Sequence, residues 1–156
     1  MGQSNSGRTA SRPKPWRRLQ KVALLGIALQ RLISPAFADE APPIPKEINI
    51  VTADQLKKLL DGRAPLLLID SRVSQEFKEG HIPRAINVVD KDMEAHKAKF
   101  PADKNHPIIF YCNGYPKCVR SLNGAKLAMS WGYKNLSVYT AGIPDWEQKG
   151  YPIERK

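Results

Sequence analysis

The chain contains two cysteines, Cys112 and Cys118, on a short polar stretch that offers nucleophilic chemistry. Cys112 follows the apolar run 108–111, which is typical of a buried strand, and a helix is predicted to begin near Ser121. Backbone amides in such a loop and at a helix N-terminus carry partial positive charge, which lowers the pKa of a neighbouring thiol. Cys112 is therefore predicted to be the catalytic nucleophile. The alternative is a buried thiol that only closes a strand.

The loop after Cys112 is predicted to bind an anionic substrate. Lys117 and Arg120 add positive charge beside the thiol, which suits a sulfur oxyanion or a phosphate ester. Tyr115 stands at the predicted loop tip, where it is placed to contact a substrate or a partner protein. The predicted substrate-binding residues are Asn113, Gly114, Tyr115, Pro116, Lys117, Cys118, Val119, Arg120 and Ser121.

Cys118 opens a second interpretation of the same loop. Two cysteines that are separated by five residues can pair in an oxidising compartment. A Cys112–Cys118 disulfide would be a resolving step, a redox switch or a structural staple. The chain would then be a thiol redox protein or a non-catalytic binding module. Because two cysteines do not complete the roughly four ligands of a zinc site, no metal is predicted, and no cofactor is predicted either.

Short apolar runs alternate with amphipathic segments along most of the chain. Thr52 and Gln55 have the spacing of a helix capping box, and the continuous apolar run 66–70 predicts a strand buried on both faces. Strands that alternate with helices indicate an α/β fold whose parallel sheet is covered on both faces. The predicted strands are 48–51, 66–70, 85–89, 108–112 and 136–139. The predicted helices are 52–61, 74–79, a segment through the 90s, 119–131 and 144–149.

Residues 1–38 have the pattern of a secretory signal peptide. This segment carries seven Lys and Arg and no acidic residue, and its apolar core lies at 22–29. It ends in the small residues Ala36 and Ala38, which suit the binding pocket of a signal peptidase. The prediction is therefore a periplasmic or otherwise exported protein. The alternatives are a disordered basic arm and an uncleaved anchor, which would be the chain's only contact with a membrane.

The chain after the predicted signal peptide is close to neutral. It comprises a Pro-rich, extended lead-in at 39–46 and one predicted domain at 47–156. The 18 Lys and Arg beyond residue 38 stand against 15 acidic residues, so most of the excess positive charge belongs to the leader. Nucleic acid is excluded as a partner because this part shows no basic helix and no stacking platform of aromatic residues.

Five motifs follow one another in order along the predicted domain. They are Leu68-Ile69-Asp70-Ser71-Arg72, Glu76-Phe77, Gly80-His81-Ile82-Pro83-Arg84-Ala85-Ile86-Asn87, Gly142-Ile143-Pro144-Asp145-Trp146 and Gly150-Tyr151-Pro152. Together they resemble the signature of the single-domain rhodaneses. The resemblance implies a rhodanese-like fold, a twisted and mostly parallel five-stranded sheet with helices on both faces. It also implies a sulfurtransferase.

The resemblance aligns Cys112 with the family's catalytic cysteine. It implies that Cys112 carries sulfane sulfur as a persulfide from a donor such as thiosulfate to a thiol or cyanide. Asp70 and Arg72 are expected to form a structural ion pair, and His81 is expected to fix its turn by hydrogen bonds.

The loop departs from the family pattern in its length, which is about three residues greater than usual, since Ser121 lies nine residues after Cys112. A longer loop suits a bulkier donor or acceptor. Tyrosine phosphatase activity is disfavoured, because its pattern of a cysteine, five residues and an arginine would need arginine at position 118, where cysteine stands.

Overall fold

The computed structural model describes residues 41–156. The predicted signal peptide at 1–38 and the first residues of the lead-in lie outside the described residues. The lead-in from 41 to 45 has no regular secondary structure, as its prolines predict. Its Ile44 nevertheless packs against the domain core, so the lead-in is attached to the domain more closely than the sequence indicated. Within 41–156, no helix is long and apolar enough to cross a lipid bilayer.

Five parallel strands form one sheet in the order β1-β5-β4-β2-β3. The predicted α/β class with a five-stranded sheet is confirmed, and every strand pair is parallel. The strands are β1 (Ile48–Ile50), β2 (Leu67–Asp70), β3 (Ile86–Asn87), β4 (Ile108–Tyr111) and β5 (Leu136–Tyr139). The helices are α1 (Ala53–Asp61), α2 (Ser74–Glu79), α3 (Arg120–Ser130) and α4 (Gly142–Gln148).

The central strand β4 is buried along its whole length, which explains its unbroken apolar sequence. Its residues alternate between the two faces of the sheet. Ile108 and Phe110 belong to the core beside α3, together with Met93. Ile109 and Tyr111 belong to the core of the opposite face, beside α1, α2 and α4. The sheet is thus covered on both sides, and only the ends of its strands are left to form a site.

The capping box predicted at the start of α1 is confirmed. The Gln55 amide donates to the Thr52 hydroxyl at 3.2 Å, and the Thr52 amide donates to the Gln55 side-chain oxygen at 2.8 Å. Both bonds satisfy amides that a helix start leaves without a partner. The helix then ends before Gly62, as predicted.

The predicted helix through the 90s is wrong in type. Two 3-10 helices occupy this segment, at Asp90–Asp92 and Glu94–Lys99. Only Met93 and Phe100 are buried between residues 90 and 100, so no continuous apolar face holds an α-helix against the sheet. The strand predicted at 85–89 is likewise reduced to two residues at the sheet edge.

Candidate active site

The loop that joins β4 to α3 lies at the carboxyl edge of the parallel sheet, where sites of open α/β folds occur. Backbone hydrogen bonds tie it to the residue that follows β5 and to the first turn of α4. The Ile143 amide donates to the Cys112 carbonyl at 3.0 Å, and the Tyr115 amide donates to the Thr140 carbonyl at 2.7 Å. The loop is therefore held in place by residues that are distant from it in sequence.

Gly142, the first residue of α4, makes this close approach possible. Its φ is +71°, in the left-handed region. A Cβ atom at this position would lie 2.4 Å from the Cys112 carbonyl oxygen and 2.5 Å from the Gly114 amide nitrogen. Only glycine fits here without moving the loop, which gives a physical reason for the glycine that opens the 142–146 motif.

Cys112 is buried, with 1% of the residue exposed. Its sulfur lies 3.3 Å from the Cys118 carbonyl oxygen and 3.3 Å from the Ser121 hydroxyl. Hydrogen bonding to the Cys118 side chain and burial both raise the pKa of Cys112 above its ordinary value. Burial of Cys112 is contrary to the predicted access from water, whereas hydrogen bonds from the Ser121 hydroxyl and backbone amide favour the Cys112 thiolate, as predicted for this loop. The assignment of catalysis to Cys112 stays a prediction.

Cys118 has the environment that the sequence predicted for Cys112. It is half-buried and lines a surface pocket of about 410 Å³. Hydrogen bonding from the Cys112 side chain lowers the pKa of Cys118 to about 6, against the opposing effect of burial. The backbone amides of Asn113 and Arg120 and the Arg120 charge add to this lowering. Hydrogen bonding within the pair therefore favours the thiolate at Cys118 over the thiolate at Cys112.

The pocket brings part of the predicted substrate-binding set together. Its lining consists of Asn113, Lys117, Cys118, Val119 and Arg120. Lys117 is exposed and contributes an ammonium group, whereas the Arg120 guanidinium forms a salt bridge with Glu76. The other predicted residues lie outside the lining: Ser121 is buried beside Cys112, Pro116 is exposed on the loop, and Gly114 accepts a hydrogen bond from the Cys118 amide at 2.8 Å.

Glu76 is the acidic residue that the site analysis of the sequence missed. From α2 it accepts a hydrogen bond from Arg120 Nη1 at 3.0 Å and another from the Asn113 side-chain amide. Burial alone would raise the pKa of Glu76, but these two donors lower it below its usual value. Glu76 thus fixes the two residues whose backbone amides hold the Cys118 sulfur. Its presence in the Glu76-Phe77 motif was the available signal.

Tyr115 does not stand free at the loop tip as predicted. Its ring packs against the same core cluster as Ile44, and its hydroxyl lies 3.2 Å from the Ala41 carbonyl and 3.1 Å from the Pro42 carbonyl. The side chain is only partly exposed. It therefore attaches the loop to the lead-in, a contact that no local sequence pattern reveals.

Asp70 and Arg72 form a buried ion pair after β2, with Arg72 Nη2 at 2.7 Å from Asp70 Oδ2. His81 stacks on Phe77 at 3.8 Å between ring centroids and donates from Nδ1 to the Phe77 carbonyl at 2.8 Å. Its backbone also pairs with Glu154 through two hydrogen bonds of 2.9 Å. None of these residues lines the Cys118 pocket.

Comparison of this sequence with known proteins identifies a family model and several relatives that match most of the described domain. The family model described as a rhodanese-like domain matches residues 52–149. The mitochondrial thiosulfate sulfurtransferase RDL2 of Saccharomyces cerevisiae is 32% identical over 133 residues, which cover 76% of this chain and 82% of that protein. The putative sulfurtransferase YtwF of Bacillus subtilis is 29% identical over 106 residues, which cover 68% of this chain and 97% of that protein.

Solved structures support the same fold. The crystal structure of the BH2092 protein from Bacillus halodurans superposes with a TM-score of 0.61 at 24% identity, and the match covers 69% of this chain and 77% of that one. Since the family model spans more than half of the sequence and includes the whole loop between β4 and α3, the chain belongs to the rhodanese-like domain family.

Proposed function

We propose that this chain is a sulfurtransferase that carries sulfane sulfur as a persulfide on the loop between β4 and α3. The observation that carries the proposal is the pocket that Cys118 lines together with the cationic side chains of Lys117 and Arg120. Hydrogen bonding lowers the pKa of the Cys118 thiol and so favours its thiolate. A pocket of this kind suits a small sulfur-containing anion, because the cations attract the donor and the thiolate attacks it. The sequence resemblance assigns the persulfide to Cys112, and the pocket favours Cys118.

Thiosulfate is the proposed donor, and a thiol or cyanide is the proposed acceptor. The choice of donor rests on similarity to a yeast protein that is named a thiosulfate sulfurtransferase. The thiolate attacks the outer sulfur of thiosulfate, the sulfur–sulfur bond breaks, and sulfite leaves with the bonding electron pair. Backbone amides around the cysteine stabilise the resulting persulfide anion until the acceptor removes its outer sulfur.

The second candidate function is that of a thiol redox or binding module. It is favoured by the proximity of the two cysteines, since Cys112 Sγ lies 3.3 Å from the Cys118 carbonyl oxygen. Oxidation of this pair would occupy both sulfurs and leave no nucleophile in the pocket. A domain that rests in this state would exchange electrons with other thiols rather than transfer sulfur.

A sulfite burst distinguishes these functions without depending on which cysteine reacts. Fully reduced protein, freed of reductant and mixed with thiosulfate, is expected to release about one sulfite per chain in a rapid first phase. The variant Cys112→Ser/Cys118→Ser keeps similar side-chain volumes and is the matched control, with no burst expected. Absence of a burst from the wild-type protein with thiosulfate and with other sulfane donors would reject the transferase.

The extended loop suits an acceptor larger than cyanide, and we assign it to a thiol compound or to a cysteine of a partner protein. Its length follows from the nine-residue spacing between Cys112 and Ser121. The pocket is open at the surface beside the exposed Lys117, so a protruding thiol can reach Cys118 from solvent.

Export is the remaining part of the proposal. It rests on the pattern of residues 1–38, a basic segment followed by an apolar core and small residues before Asp39. N-terminal sequencing of protein recovered from outside the cytoplasm is expected to begin at Asp39. Recovery of the chain only from the cytoplasm, with residues 1–38 intact, would contradict the proposal.

A further inference from the structure

The side chain of Tyr115 leaves the loop between β4 and α3 and reaches the lead-in. Its ring packs against the core cluster beside α3. Its hydroxyl has one proton to donate and lies 3.2 Å from the Ala41 carbonyl oxygen and 3.1 Å from the Pro42 carbonyl oxygen. Tyr115 thus connects the middle of the loop to a segment that precedes it by more than 70 residues.

The lead-in is a fixed partner for this hydrogen bond. Ile44 is half-buried and packs against the same core cluster, and the Ile48 amide donates to the Pro45 carbonyl at 3.0 Å. Three prolines, at 42, 43 and 45, restrict the backbone, so the segment loses little conformational entropy when it is ordered. A proline-rich segment forms few hydrogen bonds within itself, which leaves its carbonyl groups available to a side chain.

The pocket depends on loop residues that stand on both sides of Tyr115 in the sequence. Its lining consists of Asn113, Lys117, Cys118, Val119 and Arg120. The ends of the loop are held by the Ile143 amide, which donates to the Cys112 carbonyl, and by the ion pair of Arg120 with Glu76. The middle is held by Tyr115, through its amide on the Thr140 carbonyl and its hydroxyl on the lead-in. Loss of the hydroxyl bond therefore leaves the residues that line the pocket freer to move.

From these contacts we propose that Tyr115 is a positioning residue of the sulfur-transfer site, and that the lead-in at 41–45 is the support against which it positions the loop. The inference rests on the proposed sulfurtransferase function, and it holds for either cysteine as the sulfur carrier, since both belong to the loop. The lead-in precedes the residues 52–149 that match the family model, so this chain adds the support to the family domain. A long loop has more conformations to lose than a short one, and a support outside the loop reduces them.

A loosened loop slows the chemical step more than it weakens donor binding. In that step the thiolate bonds to the outer sulfur of thiosulfate, the sulfur–sulfur bond breaks, and sulfite leaves with the bonding electron pair. Backbone amides of the loop stabilise the developing charge only while they are held in one arrangement. The exposed Lys117 attracts the anion through a flexible ammonium group, which depends less on that arrangement.

The test compares Tyr115→Phe with Tyr133→Phe, two variants that each lose one hydroxyl bonded to a backbone carbonyl. The Tyr133 hydroxyl donates to the Pro101 carbonyl at 2.6 Å, away from the loop. With the reduced full chain and thiosulfate, Tyr115→Phe is expected to lower the saturating rate of the sulfite burst about 5- to 10-fold, and to change the half-saturating concentration by less than about 2-fold. Tyr133→Phe is expected to keep both values within about 2-fold of those of the wild-type protein.

A second comparison tests the lead-in as the support. Ile44→Ser removes the apolar side chain that packs the lead-in against the core, and it is expected to lower the saturating rate by a factor similar to that of Tyr115→Phe. Because both substitutions break the same connection, Ile44→Ser/Tyr115→Phe is expected to be within about 2-fold of the slower single variant. Amide hydrogen exchange within 113–119 is expected to be faster in both single variants and unchanged in Tyr133→Phe.

The outcomes separate this inference from the function on which it rests. A wild-type burst rate in Tyr115→Phe would overturn the inference and leave the sulfurtransferase intact. Equal losses in Tyr115→Phe and Tyr133→Phe would also overturn it, because the effect would then be one of general stability, and so would fully multiplicative losses in the double variant. Absence of a burst from the wild-type protein would reject the sulfurtransferase itself. The exchange measurement needs no activity, and unchanged exchange of the loop in Tyr115→Phe would overturn the inference on its own.

Discussion

Replacement of Arg72 by alanine is expected to lower the free energy of unfolding by about 3 to 5 kcal/mol, the range for removal of one partner from a buried ion pair. Asp70 is 0% exposed and Arg72 6% exposed, so the variant leaves a carboxylate in the core without its counter-charge. Arg72 Nε and Nη2 both donate to the carboxylate, at distances from 2.7 to 3.1 Å. Arg72 Nη2 also donates to the Gly80 carbonyl at 2.6 Å, which the variant leaves unsatisfied.

Urea denaturation of the variant measures this loss, and two companion variants interpret it. Lys57→Ala breaks the exposed pair of α1, in which Lys57 Nζ lies 2.6 Å from Asp61, and is expected to cost only about 0.3 to 0.5 kcal/mol. Arg72→Lys keeps the charge without the planar fork, so an intermediate loss is expected. A loss below about 1 kcal/mol for Arg72→Ala would show that the pair contributes no more than a surface contact.

Most of the fold could be predicted from the sequence, because the spacing of apolar residues indicates which side chains are buried. The bounds of α2 and β5 agree with those predicted, and the apolar runs located β2 and β4 to within one residue, because a central parallel strand must be apolar on both faces. The segment 90–99 was misjudged because its helix-forming residues lack an apolar face, and propensity alone does not hold an α-helix on a sheet.

The position of the site was also predictable, since a strand end that precedes a helix is where open α/β sheets place their chemistry. The direction in which each thiol points could not be predicted from the sequence. It depends on contacts distant in sequence: Gly142 against the Cys112 carbonyl, Tyr115 against the lead-in, and Glu76 against Asn113 and Arg120. The sequence shows that both cysteines belong to this segment, but it gives no information on which of them is buried in the folded loop.

At pH 7, iodoacetamide is expected to modify Cys118 at least about 30-fold faster than Cys112. A thiol with a pKa of about 6 is mostly thiolate at this pH, whereas a thiol with a pKa above the usual value of about 8.5 is less than about 3% thiolate. Burial of Cys112 slows its reaction further. The measurement is a time course of site-resolved alkylation by peptide mass spectrometry. Preferential modification of Cys112 would contradict the assignment of the thiolate.

The pH dependence of Cys118 alkylation tests the cause of its reactivity. Because the thiolate is the reactive form, the rate is expected to rise with pH, to reach half its maximum near pH 6 and to be constant above about pH 7. Cys112→Ala removes the hydrogen-bond donor that contributes most to the lowered pKa, so the midpoint is expected to move to higher pH. Cys112→Ser retains a hydroxyl donor and is expected to shift it less. An unchanged midpoint in Cys112→Ala would mean that the amides of Asn113 and Arg120 hold the thiolate without Cys112, and Cys112 would then have no part in activating its neighbour.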